Sequence, residues 1–239
     1  MVTTKIYLMI PALIIWLLRR YRHRHMLQQA IDFKQLKRPL PSIVGLALLA
    51  LAMLITLTSH AQSRQFNYQI VRNGSKVGTL NFSETTNGVT DYLKMESDVK
   101  TRFIFTFTAH ASEEAVYRNG ILLNSSIYRK LNGNEKVNKQ HLAQNSQYII
   151  RKGNNTEINR NYPITYSMLS MYCKEPQNIS KVYSDNFETF LPIQKIDGHK
   201  YKITLRDGNY NYYCYKDGVL NRVEIHHTLY SANIVLTNN

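Results

Sequence analysis

From Phe66 onward, apolar and polar residues alternate with a period of two. "FNYQI" sets Phe66, Tyr68 and Ile70 on one side. "RFIFTFT" puts Phe103, Phe105 and Phe107 on one face and Ile104, Thr106 and Thr108 on the other, and "HKYKITL" aligns Tyr201, Ile203 and Leu205. This is the period of a strand with one buried face. The reversals between strands are marked by glycine. Of ten glycines, Gly45 lies in an apolar run and Gly78 inside a strand pattern; seven of the other eight follow Asn or Asp, from Asn73-Gly74 to Asp217-Gly218. Such pairs tolerate the positive φ of tight hairpin turns. The runs between them give roughly ten to twelve strands. A sheet that wide is expected to curl strongly.

One stretch breaks the pattern. In "PITYSMLSMYCKEP", Pro163 to Pro176, the residues Ile164, Met168, Leu169, Met171 and Tyr172 recur at helical spacing, with Thr165 placed to cap the start and Pro176 to stop the end. A lone helix beside a curved sheet buries its apolar stripe in the concave face. The expected fold is therefore all-β with one short helix, a strongly curved antiparallel sheet or half-open barrel around it. The helix is a plug if it fills the concavity and a lid if it only covers the mouth. Met168, Leu169, Met171 and Tyr172, together with Phe103, Phe105 and Phe107, are the candidate plug or pocket residues.

The N-terminal quarter has a different composition. Ile6–Leu18 is an apolar run of 13 residues containing Pro11, followed by Arg19, Arg20, Arg22 and Arg24. Ser42–Thr58 is a second run, of 17 residues, preceded by Lys34, Lys37 and Arg38. Ser59 and Ala61 then stand at −3 and −1 of a cut before Gln62, the pattern of a secretory signal peptide. The alternative is an uncleaved membrane anchor, for which the second run is short. The first run is either a segment ahead of the signal or an extension upstream of a start at Met26. Residues 1–41 thus read as an N-terminal extension, 42–61 as the signal core and cleavage region, and 62–239 as a single β-rich domain.

The whole chain carries 30 Lys and Arg against 16 Asp and Glu, a net +14. Residues 1–61 hold eight of the basic residues and one of the acidic ones, which leaves 22 against 15, or +7, for the remainder. A basic, tyrosine-rich surface suits nucleic acid in general, but no recognition motif is present and an exported protein does not meet it. Both cysteines, Cys173 and Cys214, fall in the exported part; they form either a disulfide or two small buried thiols. Neither stands at the cleavage site, so a lipid-anchored N-terminus is not expected.

Catalytic motifs are absent: there is no nucleophile elbow, no His-Glu-x-x-His and no phosphate-binding glycine loop. "VEIHHTL" places Glu224 and His226 on one face of a strand, and His227 with Ile225 and Leu229 on the other, too few ligands for zinc. Asp197, Asp207 and Asp217 each precede a turn glycine and serve the backbone. Glu113 and Glu114 read as the solvated start of a strand. In "NYNYYCY", Tyr210, Tyr212 and Cys214 alternate with Tyr213 and Tyr215, which predicts cross-strand packing on both faces. An outer-membrane barrel would need a lipid-facing apolar band, and the polar end "IVLTNN" does not suggest one.

Three stretches, "YQIVRNGSKVGTL", "ITYSMLSMYCKEP…SKVYSDNF…FLPI" and "HKYKITLRDGNYNYYCYKDGVLNRVEI", together resemble an exported-protein family common in Bacteroidota, catalogued as a domain of unknown function, number six-one-three-four. The likeness spans residues 66 to 230. It implies a Gram-negative periplasmic or secreted protein and supplies no enzymatic residues. The strand-rich layout around one helix is also similar to curved half-barrel proteins of the envelope, lipoprotein carriers among them, a likeness of fold that does not transfer function.

The functional expectation is an exported, non-catalytic envelope protein that binds or carries a hydrophobic or amphipathic ligand such as a lipid. It would be periplasmic or secreted, or anchored in the inner membrane where the signal is uncleaved. The alternative is a structural or interaction module with an envelope protein as partner. No cofactor, metal or nucleic acid is expected, and membrane contact is through the N-terminal segments before processing. A solid core beneath Met168–Tyr172 would refute the ligand-binding reading.

Overall fold

The computed structural model describes residues 61–102, 106–159 and 161–237. The two N-terminal apolar runs, and Phe103 and Phe105, lie outside them. Among the described residues no helix is long and apolar enough to cross a membrane.

Two meanders make the sheet. The first is β1 (Gln62–Arg72), β2 (Ser75–Asn87), β3 (Thr90–Arg102), β4 (Thr106–Arg118), β5 (Ile121–Leu131), β6 (Asn134–Gln144), β7 (Gln147–Lys152) and β8 (Asn155–Asn159). The second is β9 (Lys181–Ser184), β10 (Thr189–Asp197), β11 (Lys200–Thr204), β12 (Tyr210–Lys216), β13 (Val219–His227) and β14 (Tyr230–Leu236). β1 pairs antiparallel with β14, Tyr68 opposite Leu236 and Ile70 opposite Ile234, which joins the meanders into one sheet ordered β8 to β1, then β14 to β9. The described strands number fourteen, more than the glycine pairs suggest, because some reversals use no glycine. At Asn145-Ser146, between β6 and β7, φ is +52° and +58°. At Asn73-Gly74 it is +48° and +78°, the two positive values a two-residue hairpin turn requires.

The alternation is realised in register. Phe82 stands opposite Met95, Tyr201 opposite Tyr213 and Val223 opposite Ile234, all buried on the concave side. Bulges at Ile70/Val71, Val116/Tyr117, Arg129/Lys130 and Cys214/Tyr215 add local twist to the curl. Gly78 in β2 has a different role: a Cβ there would meet the Asp98 carbonyl oxygen at 2.2 Å, so only glycine permits the approach to β3. The outward face carries ion pairs such as Lys94–Glu114, Lys200–Glu224 and Arg222–Glu224, where a lipid-facing barrel would be apolar.

The sheet is not closed by a ladder; β8 and β9 are its two ends. Side chains bridge them instead. Asn159 at the end of β8 donates to the Tyr183 hydroxyl and to the Glu188 carbonyl oxygen, both at 2.9 Å. Lys139 reaches the Asn186 carbonyl at 2.7 Å and the Glu188 carboxylate at 2.6 Å, and Lys152 meets the same carboxylate at 2.9 Å. The result is a half-open barrel with a polar seam.

The segment between β8 and β9 is not the helix that its spacing suggests. Only Leu169–Tyr172 forms a single 3-10 turn, started by Met168 with no side-chain cap. The sheet takes the backbone groups that a helix would need. Leu122 N–H donates to the Ile164 carbonyl at 2.8 Å, Ile164 N–H to the Tyr148 hydroxyl at 3.1 Å, and Met168 N–H to the Tyr183 carbonyl at 2.9 Å. Tyr183 N–H returns a bond to the Tyr166 carbonyl at 3.0 Å, so residues 166–168 also cover the free edge of β9.

Candidate functional site

Residues 163–176 plug one end of the half-barrel, and tyrosines of the sheet fix them there. Tyr117 donates to Ser167 Oγ at 2.8 Å and accepts from Ser170 Oγ at 3.1 Å. Tyr215 donates to the Met171 carbonyl at 2.7 Å, and Tyr201 to Glu175 Oε1 at 2.8 Å. Tyr172 stacks on Phe82 and meets Tyr68 edge-on, with ring centroids 5.6 and 5.8 Å apart. Leu169, Met171 and Tyr172 are buried, and Met168 is partly so. The segment is a plug, not a lid: the bonds that hold it come from β4, β5, β7, β9, β11 and β12.

The plug does not fill the concavity. A cavity of about 410 Å³ opens at the other end, where the β11–β12 and β13–β14 turns lie, with Met168 and Tyr172 at its plugged side. Part of its wall is apolar, from Met95, Ile127, Val223, Ile225 and Ile234. Asp185, Asn186, Asp207, Asn209 and Asn211 share the lining, and an ion pair stands among the apolar residues. Glu113, only 9% exposed, accepts from Arg129 Nη2 at 2.7 Å, and both residues line the cavity. This corrects the reading of Glu113 as solvated; Glu114, next to it, is the exposed one. The pair is diagonal across two strands, since Glu113 faces Ile127 and Arg129 faces Ala111. Burial pushes the Tyr172 hydroxyl well above its usual pKa, with Tyr213, Tyr68 and Glu113 adding to the rise, and pushes Tyr213 up to about 12. Both are neutral phenols beside the ion pair at ordinary pH.

A second polar cluster joins the seam. Ser125 Oγ donates to Asp185 Oδ1 at 2.5 Å, and His141 Nδ1 lies 3.2 Å from the same carboxylate and 3.3 Å from Ser125 Oγ. His141 is 1% exposed, and its Nε2 has no partner among the described residues. The residue types are those of a hydrolytic triad, but the geometry is not. In a triad the imidazole separates serine from carboxylate with its two nitrogens. Here both meet Nδ1 and the serine bonds the carboxylate directly, so the cluster latches the β9–β10 turn to β5 and β6.

The remaining sequence candidates are dispersed. Phe107, on β4, is half-buried. Cys173 and Cys214 are free thiols, not the bridge the sequence allows. Cys173 sits on the plug, its Sγ 3.4 Å from the Ser170 carbonyl oxygen, while Cys214 points to the outer face beside Glu224, so the sheet separates them. Burial, reinforced by Glu84, pushes Cys173 up to about 12; burial and Glu224 raise Cys214. His226 stacks on Tyr210 and His227 on Tyr230, with centroids 4.7 and 4.8 Å apart, and Leu229 is exposed in a turn instead of facing inward with Ile225. Asp207 accepts from Asn209 N–H at 3.1 Å, a turn role. Ala61 precedes β1, which begins at Gln62. Among the described residues no three His, Cys, Asp or Glu side chains group as a metal site. The sequence reading missed Glu113–Arg129 and the Ser125–His141–Asp185 latch; the only signal for either was a polar residue at an inward position of a strand.

Fold and site together define a half-open β-barrel, plugged at one end and hollow at the other. Residues 68–237 match the family described as a domain of unknown function, DUF6134, and the chain belongs to it. The crystal structure of a beta-barrel-like protein of the domain of unknown function DUF1849 from Brucella abortus resembles it with a TM-score of 0.52, covering 74% of this chain and 96% of that one at 7% identity. That identity establishes likeness of fold alone. No curated protein matches the chain.

Proposed function

We propose that this is an exported, non-catalytic protein of a bacterial envelope whose hollow end holds a small amphipathic molecule. The observation that carries the reading is the cavity itself, whose lining joins an apolar stretch, Met95, Ile127, Val223, Ile225 and Ile234, to polar and charged residues. Its volume lies within the usual range for small-molecule sites. At roughly 30 Å³ per water, it would accept a head group with part of one chain, not a whole diacyl lipid. Export is supported by the small-residue site ahead of Gln62: a cut after Ala61 leaves every described strand whole.

A row of outward residues, Tyr92, Val116, Leu142, Ile149 and Ile158, runs in register with Asn124 across β3 to β8. An interaction module would use such a row, but nothing in the structure says what covers it, so the cavity carries the proposal. The test is titration of the full chain with N-phenyl-1-naphthylamine. Saturable fluorescence enhancement that Ile225→Trp abolishes by filling the cavity supports the reading. Enhancement that does not saturate, or that the variant leaves unchanged, contradicts it.

A further inference from the structure

We infer that the ligand is a single-chain amphiphile with a zwitterionic head group, an ammonium beside a phosphate or carboxylate. This rests on the cavity being the binding site. The argument starts from the Glu113–Arg129 pair. An ion pair on a cavity wall presents both signs at one place, 2.7 Å apart; the other carboxylates of the lining, Asp185 and Asp207, already accept from Ser125 Oγ and Asn209 N–H. A ligand of one charge gains from one partner and is repelled by the other, and an uncharged head leaves both unmatched. A zwitterion matches both without requiring either residue to give up its charge.

The chemistry of each half fits. Arg129 spends one Nη2 bond on Glu113, and its guanidinium has further donors suited to the oxygens of a phosphate or carboxylate. The ammonium would sit at the Glu113 carboxylate, near the rings of Tyr172 and Tyr213, whose faces attract cations. The chain of the amphiphile would lie along Ile127, Val223, Ile225 and Ile234. The protein's overall positive charge would by itself favour anions. Preference for a zwitterion over an anion therefore reports the site and not the bulk field.

The experiment is displacement of N-phenyl-1-naphthylamine from the full chain by four dodecyl compounds below their micelle concentrations. These are the phosphocholine, the carboxylate, the trimethylammonium and the maltoside, run beside phosphocholine without a tail. The zwitterion is expected to displace the probe at a concentration about tenfold or more below the others, a difference of about 1.4 kcal/mol. Arg129→Gln is expected to move the preference to the cation, and Glu113→Gln to the anion. Equal displacement by all four, or preference for a singly charged or neutral head, overturns the head-group inference and leaves the cavity reading standing. Displacement by tail-less phosphocholine at the same concentration overturns the amphiphile and leaves a soluble zwitterion. Failure of every compound, and of the probe itself, overturns both readings.

Discussion

Tyr215 on β12 donates its hydroxyl to the carbonyl oxygen of Met171 across 2.7 Å, so the sheet holds the plug at its one helical turn. The carbonyls at a helix end have no partner within the helix, and this one is buried. Tyr215→Phe removes the donor and leaves the ring in place. The expected cost is about 1–3 kcal/mol, read as a lower urea midpoint with an unchanged slope. A midpoint equal to that of the unaltered protein would mean that the bond contributes nothing net.

Acid should loosen both the plug and the seam. Burial pushes the carboxyl of Glu188 up, but Lys139 and Lys152 outweigh it and hold the pKa below the usual range. At Glu175 burial is likewise outweighed, by hydrogen bonds from His199, Tyr201 and Gln177. A carboxyl with a depressed folded pKa binds fewer protons when folded. Its stabilisation is present above the unfolded value, about 4.3 for Glu, and is lost as pH falls through the folded one. Glu188→Gln is therefore expected to lower the urea midpoint at about pH 6 and to flatten its decline towards about pH 3. Parallel curves for variant and unaltered protein would contradict this role.

The thiols make a separate prediction. With Cys173 pushed up to about 12 and Cys214 also raised, neither is a ready thiolate at neutral pH. Iodoacetamide should label the folded protein slowly at both sites, and mass spectrometry should find two labels after unfolding without reductant. Labels that appear only after reduction would show a bridge between the two residues.

Stability separates the ion pair from ordinary core. Breaking a buried pair on one side strands the other charge, whereas replacing both with apolar residues is often neutral. Glu113→Leu is expected to cost somewhat less than the roughly 3–5 kcal/mol typical of fully buried pairs, because Arg129 keeps access to the cavity. Glu113→Leu with Arg129→Met should recover most of that loss. A double variant as unstable as the single one would make the pair structural.

Much of the fold was legible because the turn chemistry is local. Asn73-Gly74 announces a reversal by itself, since few other pairs take positive φ twice. Asn145-Ser146 has the same backbone without the glycine and gave no signal. The plug was overread as a helix because its apolar spacing is local, while the competition for its backbone comes from Leu122, Tyr148 and Tyr183, elsewhere in the chain. The site was least legible. Glu113 meets Arg129 only through the β4–β5 register, and Asp185 meets Ser125 only once the sheet has curled far enough to bring β9 round to β5. The 17 tyrosines were visible as a count. Their use, as hydroxyl clamps on an irregular segment, belongs to the tertiary structure.

The most direct test is native mass spectrometry of the full chain expressed with its own leader and purified without detergent. The account predicts an adduct of one small amphiphile per chain that survives gentle ionisation, disappears on unfolding and is missing from Ile225→Trp. A clean unliganded mass, or an adduct that the variant retains, would contradict a ligand held in the hollow end of the barrel.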